Sequence, residues 1–221
     1  MVNNIKSVKE RIAATCAQVG RRPDEIKMVA VSKTVDTIKA LEAVQAGVTD
    51  LGENRTAEMA AKYRFIGDKA KWHFIGHLQK NKVKKIINFV DLIHSLDSLS
   101  LAEEIDTRAR QINKVQPALI ELNISGEKSK YGLHPDEVFA FIKEVNNFTN
   151  LKIVGLMTMA PWGASFEQAR QIFRGLRKLR DDLQPNIPDI TRLSMGMTDD
   201  FEAAILEGAD IVRIGRAIFN N

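Results

Sequence analysis

Eight short apolar runs, each followed by a stretch of helical periodicity, constrain this chain more than any other feature. They are KMVAVSK (27–33), VTDLGEN (48–54), KWHFIGH (71–77), VDLIHSL (90–96), PALIELNIS (117–125), LKIVGLMTM (151–159), TRLSMGM (191–197) and ADIVRIG (209–215). Runs this short and rich in Val, Ile and Leu suit strands buried on both faces. Strands that alternate with helix-length segments pair in parallel through right-handed crossovers. Eight such units in 221 residues fit a compact (β/α)8 TIM barrel, a fold of typically about 250 residues. A doubly wound open sheet is the rival. Ahead of the first strand, Ile5, Val8, Ile12, Cys16 and Val19 recur at helical spacing and predict an extra N-terminal helix.

Each of the seven gaps has room for a helix, and several helices carry their own punctuation. Asp36 is placed to cap the first after its strand, and His134-Pro135-Asp136-Glu137 opens another with proline and acid in its first turn. Gly47 and Gly208 sit where helices stop. The densest run of one charge, QKNKVKK (79–85), reads as a solvated helix face. No Gly/Ser/Pro-rich linker or internal repeat divides the chain, so a single domain over residues 1–221 is expected.

Charge and composition narrow the function classes. The formal net charge of +4 favours a phosphorylated ligand but is too small and dispersed for nucleic acid, and two Trp and two Tyr leave little for base stacking. Cys16 stands alone, which excludes an intramolecular disulfide and the common zinc-finger spacings and points to a reducing, cytoplasmic setting. The N-terminus lacks the apolar core of a signal peptide, and no stretch approaches the roughly 20 apolar residues that span a bilayer. No H-E-x-x-H pattern or comparable cluster supports a metal site.

In a barrel, functional groups collect where strands end. Here those ends are Lys33, Glu53-Asn54, Gly76-His77, Ser95 and Asp97, Asn123, Met157-Thr158, Ser194-Met195-Gly196 and Arg213-Ile214-Gly215. Strand parity puts Val29, Val31 and Lys33 on one face. If that face lines the barrel, the Lys33 amine enters a partly desolvated interior, which favours the nucleophilic free base and Schiff-base chemistry. The alternative is a lysine that snorkels to water. Arg213 interrupts an otherwise fully buried strand and needs a partner, either a carboxylate such as Glu53 or Asp97 or a ligand acceptor. The turns after strands seven and eight, Ser194-Met195-Gly196 and Gly215-Arg216, occupy the usual phosphate site of such barrels. Asp199 and Asp200 then serve as helix caps. A ligand with a carbonyl at one end and a phosphate at the other satisfies both sides: pyridoxal phosphate (PLP), or a sugar phosphate in an aldolase.

AVSKT (30–34), GEN (52–54), WHFIGHLQKNK (72–82), GLMTM (155–159), LSMGMTDDFEAAI (193–205) and VRIGRAIF (212–219) resemble, in order and over nearly the whole chain, the signature segments of the YggS/PROSC family of PLP-binding homeostasis proteins. The resemblance implies a barrel similar to the N-terminal domain of alanine racemases. It implies that Lys33 holds PLP as a Schiff base. The phosphate would fall to Ser194 and the neighbouring amides of Met195 and Gly196, with Gly215 and Arg216 added. Asn54, His77 and Met157 would sit near the ring. Arg213 would lie beside the pyridine nitrogen, disfavouring its protonation and weakening the ring as an electron sink.

Racemases of this fold draw a tyrosine base from a separate C-terminal domain, whereas this chain ends at Asn221; its tyrosines are Tyr63 and Tyr131. Family members commonly carry a small or hydroxyl residue at the position of Arg216. The expectation is therefore a monomeric, cytoplasmic PLP carrier or regulator in vitamin B6 and amino-acid homeostasis, with PLP-dependent apo-enzymes as candidate partners and no catalytic turnover. The alternative is a racemase-like or aldolase enzyme using Lys33 with His77, Tyr131 or Asp97 as the second acid/base. His73 reads as a packed core histidine, and His94 and His134 as structural or surface residues. A pure interaction module would leave the Lys33, Arg213 and SMGM set without a purpose.

Overall fold

The computed structural model describes residues 1–127 and 131–220. The eight apolar runs form β1 (Lys27–Val31), β2 (Asp50–Glu53), β3 (Lys71–Phe74), β4 (Leu92–Leu96), β5 (Gln116–Glu121), β6 (Leu151–Met157), β7 (Arg192–Ser194) and β8 (Ile211–Ile214). Each pairs in parallel with its successor, and β8 pairs with β1. That last ladder excludes the open sheet. In its register Val29 lies beside Asp50 on one side and Arg213 on the other.

The helices are α1 (Val2–Gln18), α2 (Thr37–Gln45), α3 (Thr56–Ile66), α4 (Leu99–Arg110), α5 (Val138–Val145), α6 (Phe166–Leu183), α7 (Phe201–Leu206) and α8 (Arg216–Phe219). Asp36 caps α2 by accepting from the Lys39 amide at 2.8 Å. Gly47 and Gly208 follow α2 and α7 with positive φ. His134 and Glu137 form a reciprocal cap around the 3-10 turn Pro135–Glu137 that leads into α5. The β3–β4 gap departs from expectation. QKNKVKK holds a 3-10 segment, Lys80–Lys85, in place of an α-helix. Its four lysines flank one buried apolar residue, Val83, too narrow a stripe to hold a helix against the barrel.

The core has two layers. The larger lies between barrel and helices, while a small lumenal cluster joins Val29, Leu92, Leu119, Met157 and Ile211. Helix α1 buries Ile5, Val8, Ile12 and Cys16 and packs against α7 and α8. Asn4 Nδ2 reaches the carbonyls of Ile218 (3.2 Å) and Asn220 (3.1 Å), so the first helix clasps the last. Burial pushes the Cys16 thiol up, consistent with a packing role. Among the described residues no helix is long and apolar enough to cross a membrane.

Candidate functional site

The end of β1 is held by a buried ion pair. Lys62 lies on the inward face of α3 between Met59 and Ile66, and its Nζ donates to Glu53 Oε1 (2.5 Å) and to the Ser32 carbonyl (2.6 Å). Ser32 Oγ donates to the same Glu53 oxygen at 2.6 Å. Glu53 is therefore committed to the helix layer, and its Oε2 meets no hydrogen-bond partner among the described residues. The next residue, Lys33, stands in the turn after β1 and is exposed. Because β1 ends at Val31, strand parity does not carry the amine into the lumen. The desolvation expected from that parity is absent.

Arg213 is 3% exposed. Its Nη1 donates to Ser194 Oγ (2.6 Å) and its Nη2 to the Thr158 carbonyl (3.1 Å). The expected carboxylate partners are engaged elsewhere, Glu53 with Lys62 and Asp97 with His77. The carboxylates that bear on Arg213 are Glu121 and Asp200, neither within ion-pair distance among the described contacts. Burial lowers the guanidinium to about 10 against their pull. A buried guanidinium without a paired carboxylate leaves room for a ligand acceptor.

The two turns beside Arg213 each hold a glycine in close packing. Gly196 has φ +88°, and a Cβ there would fall 2.5 Å from Ala204 Cβ and 2.9 Å from Phe201 Cα. A Cβ on Gly215 would meet the Val31 carbonyl at 3.2 Å, which places this turn against the strand leading to Lys33. The Met195 side chain packs into the layer between barrel and helices, so it turns only its backbone toward the mouth. Ser194 Oγ is engaged within the lumen, where it meets Arg213 and His94. Arg216 is exposed, ion-paired with Asp199, and lies 5.6 Å from the Trp162 ring centroid. Asp200 accepts from the Met197 amide, and neither Asp199 nor Asp200 makes the expected side-chain cap on α7.

Across the mouth, His77 Nδ1 is 3.3 Å from Asp97 Oδ2, and Tyr131 stacks on the His77 ring at 3.9 Å. Glu121 is buried at the end of β5. Burial raises its carboxyl to about 7, with Asp97 pushing up and Arg213 pulling down. Strands β5 and β8 are not neighbours, so a Glu121 that senses Arg213 does so through the lumen. Met157 joins the lumenal cluster, and Asn54 is partly buried just after β2. Among the described residues no group of three His, Cys, Asp or Glu is arranged to hold a metal.

Sequence reasoning missed one set of residues. Asp50, His73 and His94 are buried in the lumen and connect to Ser194 through contacts of 2.9 Å. The available signal was the polar residues recurring inside apolar strands β2, β3 and β4.

The family model for the alanine racemase N-terminal domain matches residues 4–220. A pyridoxal phosphate homeostasis protein of Aquifex aeolicus is 44% identical over 218 residues, covering 97% of this chain and 95% of the relative. That of Escherichia coli K12 is 34% identical over 224 residues, with coverage of 99% and 95%. The structure of PipY from Synechococcus elongatus with PLP bound superposes with a TM-score of 0.83 at 32% identity, covering 95% of this chain and all of PipY. Clostridium difficile alanine racemase, at 19% identity and TM-score 0.76, shares the fold over 99% of this chain and 57% of its own. The chain thus belongs to the alanine racemase N-terminal-domain family and, within it, to the pyridoxal phosphate homeostasis proteins.

Proposed function

We propose that this protein binds PLP at the barrel mouth as a single cytoplasmic, monomeric domain, and serves vitamin B6 and amino-acid homeostasis without turning over a substrate. The observation that carries the reading is Arg213, a buried guanidinium with no paired carboxylate among the described residues, beside two glycine turns, one of which packs on the strand leading to Lys33. The names of the relatives and the PLP bound to PipY support it. When bound, PLP supplies an aldehyde that condenses with primary amines and a ring that withdraws electrons.

In this reading Lys33 supplies the amine. Arg213 would lie beside the ring nitrogen, where its charge would disfavour protonation of that atom. The Gly196 and Gly215 turns, with the backbone of Ser194 and Met195, would hold the phosphate, and Arg216 would bound that end from outside. Asn54, His77 and Met157 would border the ring. An exposed Lys33 suits a carrier, because a recipient apo-enzyme reaches the attachment point without the barrel opening.

A second reading, a racemase-like enzyme, draws on the His77–Asp97 contact under Tyr131, which supplies an acid/base pair opposite Lys33.

Visible absorption of the purified protein and of Lys33→Ala, before and after PLP addition, tests the proposal. The expected result is a band that the mutant lacks, with borohydride fixing the cofactor mass on Lys33. No band in excess PLP overturns it. Interconversion of amino-acid enantiomers that is lost in both Lys33→Ala and His77→Ala favours the enzyme.

A further inference from the structure

Beneath Arg213 the lumen holds an unbroken line of polar contacts. Ser194 Oγ, which accepts from Arg213, lies 2.9 Å from His94 Nδ1; His94 Nε2 lies 2.9 Å from His73 Nδ1; His73 Nε2 lies 2.9 Å from Asp50 Oδ1. Asp50 also accepts from Lys27 Nζ (3.0 Å) and Thr49 Oγ1 (2.7 Å). It borders a cavity of about 510 Å³ at the floor of the barrel, shared with Lys9, Ile12 and Lys27.

The Asp50 end dictates where every proton sits. An ionised Asp50 only accepts, so a neutral His73 faces it through Nε2–H and accepts at Nδ1 from His94 Nε2, which leaves His94 Nδ1 to accept from the Ser194 hydroxyl. His94 is completely buried, and burial above all, with the charge of Arg213, holds its pKa far below the ordinary range. It is neutral, with its proton on Nε2, donated to His73 Nδ1. The His73 proton is then on Nε2 and faces the Asp50 carboxylate. Although burial pushes Asp50 up, bonds from His73, Thr49 and Lys27 hold its carboxyl below the usual range.

The same line has one further complete arrangement, with one more proton. We infer that Ser194, His94, His73 and Asp50 form a one-proton relay through the lumen, in which a proton taken up at Ser194 Oγ is stored on His73 beside Asp50. The proton comes from hydronium. As Ser194 Oγ accepts it, the original hydroxyl proton passes to His94 Nδ1, and the His94 Nε2 proton passes to His73 Nδ1. Only O–H and N–H bonds change. His73 ends as an imidazolium that donates to Asp50 and to His94. His94 ends neutral, donating from Nδ1 to Ser194, whose new O–H points to the mouth.

The charge rests on His73 rather than His94 because only His73 touches a carboxylate. The charged groups around the line are Lys27 on β1, Asp50 on β2, Glu121 on β5, Asp200 before α7 and Arg213 on β8. Asp50 favours the imidazolium and Lys27 opposes it. Glu121 and Asp200 act on Arg213 and soften its repulsion.

The relay belongs to the chain itself, so it is tested on the full protein without PLP, by long-range ¹H–¹⁵N spectra of the imidazoles during a pH titration. At high pH both His73 and His94 are expected as neutral Nε2–H tautomers. On acidification His73 gains its charge and His94 switches to Nδ1–H in one common step. Asp50→Asn is expected to move that step down by about one pH unit or more. Leu92→Ala, in the lumenal cluster but outside the line, leaves the step and the switch in place. A His94 that keeps its Nε2 proton through the His73 step overturns the inference, as does an Asp50→Asn protein whose step does not move. Acid unfolding with both imidazoles still neutral overturns it as well.

Discussion

Lys62 Nζ stands 2.5 Å from Glu53 Oε1, and this ion pair, with both side chains buried, secures the strand end from which Lys33 projects. The Ser32 carbonyl accepts from the same ammonium, so the ion pair and the Lys33 turn share one anchor. Removing one partner strands a buried charge, whereas removing both does not. Lys62→Met is expected to destabilise the fold by about 3–5 kcal/mol. Adding Glu53→Gln recovers most of that loss. Urea denaturation of the two single variants and the double variant measures the coupling.

Gly196→Ala places a methyl within 2.5 Å of Ala204 and asks a non-glycine residue to adopt φ +88°. Both effects fall on the turn assigned to the phosphate. The expected outcome is a loss of about 2–4 kcal/mol in stability, with PLP retention falling further than in Gly20→Ala, where φ is also positive but the space is open. Thermal unfolding and equilibrium dialysis separate the two effects.

Glu121 makes stability depend on pH across neutrality. Its folded-state pKa, about 7, lies above the unfolded value, so the folded chain binds the proton more tightly. That contribution is fully present below about pH 4.5 and is lost as pH rises through 7. Glu121→Gln keeps a neutral side chain throughout. It is expected to gain about 2 kcal/mol over the parent between pH 5 and 8 and to match it at the acid end. Denaturation midpoints of both proteins at several pH values check the sign.

The two tryptophans report on opposite environments. Trp72 is 1% exposed and Trp162 is 88% exposed beneath Arg216. Acrylamide is expected to quench essentially only Trp162, and Trp162→Phe removes that quenchable emission at little cost in stability. Arg216→Ser changes the Trp162 emission by removing the cation above the ring. An unchanged spectrum means the contact is not kept in solution.

Much of the barrel was legible because its strands are apolar on both faces and their spacing is regular. Lys33, Arg213 and the two glycine turns were readable because they interrupt or end those runs. The lumenal polar line was not, since its members lie on β2, β3, β4 and β7. Only the barrel register brings Asp50 to His73 and His94 to Ser194, which are 23 and 100 residues apart. The partner of Glu53 carried a usable signal: Lys62 falls at a buried helical position between Met59 and Ile66. The exposure of Lys33 was not foreseeable from parity, because parity holds only while the strand continues and β1 stops two residues earlier. The QKNKVKK segment failed for a related reason. Local charge pattern suggests a helix face, but a helix also needs an apolar stripe to dock.

The contact between the Gly215 turn and Val31 has a kinetic consequence. It joins the first strand to the turn after the eighth, across the least local strand pairing of the barrel, and such contacts form late and slowly. During synthesis β1 emerges long before the strand that completes its neighbourhood. The halves of the mouth meet only when the ring of strands closes. A ligand of the mouth supplied from the start of refolding is therefore captured at the pace of ring closure, and raising its concentration does not hasten capture. Association with the mouth becomes a clock for the final act of folding.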